Sequence, residues 1–185
     1  MKIKFLGVDG SWRKVADSCR TTVGKGEGDG EPSSNWKRKL LLSEHSPIRK
    51  LKFSWRWLGI PYWVSTHFVR HKFGIEHWIS TQRTDRTGED RNVKPQGAEV
   101  THESEANAQA LITISRKRLC HGASPETQQA WKLVKEEIAK ENPELASCMV
   151  KDCVYRGHCY EMYCCGYHKT EAFKKELEEY RRGIN

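Results

Sequence analysis

Residues 69–86 read VRHKFGIEHWISTQRTDR, with Arg70, His71 and Lys72 on one side of Gly74 and Ser80, Thr81, Gln82 and Arg83 on the other. Building a core does not require that density of cations, imidazoles and hydroxyls. Upstream, Ile60, Trp63, Val64, His67, Phe68 and His71 recur at three- and four-residue intervals. Pro61 suits the first helical position, so the spacing predicts a helix that delivers the basic trio to its C-terminal end. Gly74 is a stop signal, and alternation of Trp78, Ser80 and Gln82 against Ile79, Thr81 and Arg83 predicts a short strand. Trio and hydroxyl cluster would then face each other across a turn. Arginine offers charge and a two-pronged donor, and hydroxyls and amides add oriented hydrogen bonds, so a phosphorylated ligand fits. The same Arg70, Lys72, Arg83 and Arg86 also read as a solvated face, with His71 a satisfied helix-end histidine.

Three blocks carry a resemblance. Arg70-His71-Lys72, seven residues, then Ser80 resembles the RHR-x7-S signature of the flavin-dependent thymidylate synthases, the ThyX family. Upstream, His45-Ser46-Pro47 followed by Phe53 resembles that family's H-x-[ST]-P segment and the strand after it. Downstream, Asn107-Ala108-Gln109-Ala110-Leu111 and then Arg118 resemble its NAR-S-L…R helix. Together the blocks cover about half of the chain, in the family's order.

The resemblance implies an α+β fold, an antiparallel sheet packed with helices, in one domain spanning residues 1–185. It implies reductive methylation of dUMP to dTMP with methylenetetrahydrofolate, FAD and NADPH, in a homotetramer whose sites are shared between subunits. Carried over, Ser46, Arg70, His71, Lys72, Asn107, Gln109 and Thr113 would line the flavin site. His67, Arg70, Ser80, Thr81, Arg83 and Arg118 would contact the nucleotide, with Arg118 polarising the pyrimidine ring. This chain departs from the pattern in places. Lys72 replaces the second Arg of the signature, Trp78 stands where many members carry a nucleotide-binding Glu, Arg49 replaces a Glu and Gln109 an Arg. The order S-T-Q-R in place of S-Q-R-Y makes Thr81 as well as Ser80 a candidate hydroxyl, and the stretch from Thr84 to Ala106 is shorter than the family's.

Elsewhere, Lys2 to Val8 alternates as a first strand, and glycine-rich residues 24–35 read as a flexible surface loop. Ser33 or Ser34 can cap a helix through Trp36, Leu40 and Leu41 that ends near His45, and Leu51 to Trp57 alternates as a half-buried strand. Thr84 to Thr101 reads as a loop over the site, and Glu103 to Leu119 as a helix. Arg116, Lys117 and Arg118 fall in that helix's last turn, where cations also favour the dipole without any catalytic role. Ser124-Pro125 opens a further helix that Pro143 follows, and Glu171 to Arg182 forms a last one.

Against 24 acidic residues stand 32 basic ones, a net charge of +8 that favours an anionic partner. A pyrimidine nucleotide satisfies that preference. Two alternatives remain open: a related pyrimidine one-carbon transferase with another acceptor, and a non-enzymatic basic nucleic-acid-binding module with a zinc site. No apolar run approaches the ~20 residues of a membrane span, and no secretory signal is evident, so the expectation is a cytoplasmic protein with reduced thiols. Five of the seven cysteines crowd residues 148–165, within a Cys-rich segment that runs to His168. Cys148, Cys153, Cys159 and Cys165 are candidate zinc ligands there. Four, five and four residues separate Cys148, Cys153, Cys159 and Cys164, unlike a C-x2-C knuckle, and reduced core thiols are the stronger reading.

Overall fold

Period-two alternation builds the sheet. In the computed structural model, which describes residues 1–182, four strands pair antiparallel in the order β1-β2-β4-β3. They are Lys2–Asp9 (β1), Lys52–Pro61 (β2), Ile75–Ile79 (β3) and Glu99–Asn107 (β4). On one face, Phe53, Trp55 and Trp57 of β2 and Val100, His102, Ser104 and Ala106 of β4 are buried. On the other, Arg56 sits opposite Glu103 and pairs with it, and Lys52 reaches Glu105 at 3.3 Å.

Trp12–Thr22 (α1) and Ser34–Leu42 (α2) link the first two strands, Tyr62–Phe68 (α3) follows β2, and a single turn, Thr84–Thr87 (α4), follows β3. Beyond β4 come Ala108–Arg118 (α5), Pro125–Glu141 (α6), Pro143–Cys148 (α7), Asp152–Arg156 (α8) and Glu171–Arg181 (α9). The buried face closes on an aromatic cluster. Trp131 of α6 meets Trp55 edge-on at 5.8 Å and stacks on Phe68 at 5.6 Å, while Phe68 stacks on Trp57 at 4.6 Å. Such pairs add about 0.5–1.5 kcal/mol each beyond burial. The Trp57 indole N–H also donates to the Ala130 carbonyl at 3.0 Å, so the aromatic layer fixes α6 against the sheet.

The strands at 2–8 and 51–57 and the helices near 34–42, 125–141 and 171–181 match the sequence reading, and residues 24–33 lack regular structure. Four boundaries differ. Pro61 ends β2 and precedes α3 in place of opening it, and α3 stops at Phe68, leaving Arg70-His71-Lys72 in the turn beyond. β3 spans Ile75–Ile79, so Ser80 to Arg83 lie past its end. The expected helix from Glu103 is split at Asn107: up to there the chain is strand β4, and only from Ala108 is it helical. Asn107 makes the break itself, because its side chain caps α5 by accepting from the Ala110 N–H at 2.9 Å. The fourth difference is three helices that the sequence reading did not anticipate, α1, α7 and α8, the first of them capped by Ser11. A smaller core of Val150, Cys153, Val154, Phe173 and Tyr180 holds the C-terminal helices.

Candidate active site

The turn joining α3 to β3 lies against the first turns of α5. Gly74 has φ +72°, and a Cβ there would come within 2.5 Å of the Asn107 amide nitrogen. The Asn107 N–H donates to the Gly74 carbonyl at 2.8 Å, so the turn and the helix cap lock together only because residue 74 has no side chain. A cleft of about 450 Å³ opens beside this junction, lined by Arg49, Arg70, His71, Lys72, Phe73, Asn107, Gln109 and Thr113. No carboxylate lines it. None of the ion pairs among the described residues involves Arg49, Arg70 or Lys72. The start of α5 adds its positive dipole end, so the cleft is built to receive an anion.

Of the residues the resemblance assigns to a flavin site, Arg70, His71, Lys72, Asn107, Gln109 and Thr113 line this one cleft. Ser46 does not; it opens the 3-10 turn Ser46–Lys50, and Arg49 of that turn reaches the cleft instead. Two of the polar groups already have partners. The Gln109 amide donates to Glu44 at 2.5 Å, and the Thr113 hydroxyl donates to the Gln109 carbonyl at 2.9 Å. Glu44, held at φ +50°, also pairs with Arg116, so it ties the first turn of α5 to its last.

The residues assigned to the nucleotide are divided. Ser80, Thr81 and Arg83 line a separate cleft of about 380 Å³ with Tyr62 and Arg91, and Arg83 is held by the Asp85 carboxylate at 2.8 and 3.0 Å. Arg118 and His67 stand behind the first cleft. Arg118 Nε donates to His71 Nε2 at 2.8 Å and its Nη2 to the His67 carbonyl at 2.6 Å, while His67 Nδ1 meets the Thr127 hydroxyl at 2.9 Å. Arg49, Phe73 and Gly74 line the first cleft without having been assigned to a site. The signal for Gly74 was in the sequence, as a glycine between a basic trio and a strand. Arg49 showed only as a charge reversal against the family's pattern.

Behind the trio runs a chain of histidines. Ser65 Oγ meets His102 Nδ1 at 2.9 Å, His102 Nε2 meets His77 Nδ1 at 2.9 Å, and His77 Nε2 meets the His71 carbonyl at 3.3 Å. A carbonyl only accepts, so His77 donates through Nε2 and accepts through Nδ1, and His102 in turn donates through Nε2 and accepts the Ser65 hydroxyl. Neutral rings, each donating once and accepting once, complete the chain in this sense. Burial, then the charges of Arg118 and His77, lowers His71 to about 4, and burial with His77 lowers His102 to about 3.

These values tie folding to pH. The unfolded chain takes up protons first, near 6.5, so the contribution is complete above that pH and is lost as pH falls toward 4 and then 3. For His102 the full loss is on the order of 5 kcal/mol, of which roughly 3 is gone by pH 4.5. Urea unfolding at pH 7.5 and pH 4.5 checks it: the midpoint should fall steeply at the lower pH, and an unchanged midpoint would show that both imidazoles charge freely in the folded protein.

No family model and no curated protein sequence matches the chain. Solved structures do. The UMP/dUMP methylase PolB from Streptomyces cacaoi, bound with 5-Br dUMP, superposes with a TM-score of 0.63 at 13% identity, over 81% of this chain and 97% of that one. The flavin-dependent thymidylate synthase ThyX from Helicobacter pylori, complexed with FAD and dUMP, superposes with a TM-score of 0.67 at 10% identity, over 82% of this chain and all of that one. The fold is thus that of the ThyX proteins, across most of the chain.

Proposed function

We propose, from a ThyX-type fold with a cationic cleft at its α3–β3 turn, that the protein is a flavin-dependent thymidylate synthase-type methyltransferase. It would methylate dUMP reductively to dTMP, with methylenetetrahydrofolate as one-carbon donor, FAD as cofactor and NADPH as reductant. The observation that carries this reading is the cleft itself: Arg49, Arg70 and Lys72 converge on a helix N-terminus without a carboxylate among them. It occurs in a fold shared with a protein solved with FAD and dUMP. The donor set fits a flavin diphosphate.

Bound flavin would supply the hydride chemistry. The chain's own part is positional and electrostatic. Arg70 and Lys72 would neutralise the cofactor's phosphates, with Arg49, Asn107, Gln109 and Thr113 completing the flavin site. Arg118 uses two of its five N–H groups on His71 and His67, and the rest are left to stabilise negative charge as the pyrimidine C5 becomes nucleophilic. Ser80, Thr81 and Arg83 hold the nucleotide, and a homotetramer of these single-domain, cytoplasmic chains completes each site.

A second acceptor is favoured by one finding, since one structural neighbour is named a methylase of both UMP and dUMP. Purification tests the main reading. The protein should be yellow and release FAD on denaturation, and dUMP should accelerate reoxidation of the reduced flavin. Protein that is colourless and cannot be reconstituted with FAD would overturn it. Reoxidation driven by UMP alone would select the second acceptor. Affinity for nucleic acid that falls steeply with salt would favour the binding-module alternative.

A further inference from the structure

Between α8 and α9 the chain runs from Gly157 to Gly166 without helix or strand. Its apolar side chains do not hold it: Tyr160, Met162 and Tyr163 are 60%, 94% and 90% exposed. Something other than core burial must define this segment. The fold gathers three soft donors across it. Cys159 Sγ, Cys164 Sγ and one ring nitrogen of His168 all lie within 4.8 Å of one another, and Cys164 Sγ is 3.3 Å from His168 Nδ1. The His158 ring packs edge-on against His168, their centroids 4.4 Å apart.

Tetrahedral zinc places thiolate and imidazole donors about 3.5–3.8 Å apart, given bonds near 2.3 and 2.0 Å. Three donors already converged to that scale need only a small contraction to close on one ion. We propose that Cys159, Cys164 and His168 supply three ligands of a tetrahedral site for a zinc-class divalent cation, with water in the fourth position. The set differs from the four cysteines suggested by spacing alone. Cys148 is buried in the main core and Cys153 belongs to the smaller C-terminal core; Cys120, Cys153 and Cys165 line a small cavity together with Cys159 and His168, but their thiols are not among the three donors that converge.

The metal would staple both ends of the irregular segment. That segment in turn braces the catalytic side of the molecule, because Glu161 within it pairs with Lys117 at 2.7 Å, one residue before Arg118. The site stands whether or not the methyltransferase reading does, and its test needs no turnover.

Chelator-treated full-length protein, kept reduced, should take up about one zinc per chain when zinc alone is added. Cobalt(II) in its place should give intense thiolate charge-transfer absorption. Cys164→Ser and His168→Ala should each weaken zinc binding by more than the ~10–100-fold lost when only an outer partner of a metal ligand is removed. Cys19→Ser, a change outside the segment, should bind zinc as the parent does. Failure of the parent protein to take up zinc, or uptake by both ligand variants equal to the parent's, would overturn the site. Should the variants not fold, the cobalt spectrum of the parent decides alone, and absence of the thiolate band rejects the proposal. A Cys159–Cys164 disulfide in protein isolated with its thiols protected would reject it too.

Discussion

Arg118→Ala is expected to lose dUMP-dependent flavin reoxidation by ~100-fold or more, the scale seen when one preorganised donor to a developing anion is removed. The geometry explains why a single side chain should matter so much. Its guanidinium is fixed from two directions, by His71 Nε2 at 2.8 Å and by the His67 carbonyl at 2.6 Å, so it carries no reorganisation cost when charge develops. Burial, then the neighbouring Arg70, pushes its pKa down, which marks a cation held where water does not compensate it well. Arg118→Lys should recover little, since one ammonium cannot reproduce a planar fork that binds two partners. The variant should stay yellow and folded, with a modest loss of flavin retention because His71 loses its donor. Turnover equal to the parent's would instead assign Arg118 to the end of α5, where a cation is worth under ~1 kcal/mol to the helix dipole.

The second large effect is expected at Arg70, in the lining of the cleft itself. Arg70→Glu should abolish retention of FAD, because it removes one of three cations and places the first carboxylate in the cleft. Two unit charges ~4 Å apart near a protein surface interact by about 4 kcal/mol, so the reversal should weaken affinity by well over ~100-fold. Quenching of free FAD fluorescence on titration with protein reads the change directly. Arg83→Glu supplies the contrast. That residue lies in the separate cleft, so flavin binding should persist while dUMP binding weakens. Equal loss of flavin in both variants would show that the cations act only through net charge.

Much of this arrangement could be read from residues alone, and what could not has identifiable causes. β2 was legible because Phe53, Trp55 and Trp57 alternate with polar residues. β4 was not, because its inward positions include His102 and Ser104, buried polar groups that erase the apolar period. Their burial is tolerated only through Ser65 and His77, which come from other elements and leave no trace in the local pattern. The ThyX-like motif grouped Arg70–Lys72 with Ser80–Arg83 as one site. In the fold, β3 intervenes, and five extended residues carry the chain about 17 Å. The two groups therefore open into different clefts. The cysteines were legible as a cluster but not as a ligand set, since spacing along an irregular segment does not say which thiols turn toward each other.

The strand order has a consequence for how the molecule comes into being. β2 and β3 both depend on β4 for a partner, and β3 has no other neighbour. A chain emerging from the ribosome as far as residue 98 can pair only β1 with β2, a two-stranded ribbon of marginal stability. When Glu99–Asn107 follows, it completes the sheet, brings His102 and Ser104 to His77 and brings Asn107 to Gly74 in the same event. The cleft is therefore not an ornament added to a finished scaffold. It closes with the last strand, so translation must pass the middle of the chain before either fold or site exists.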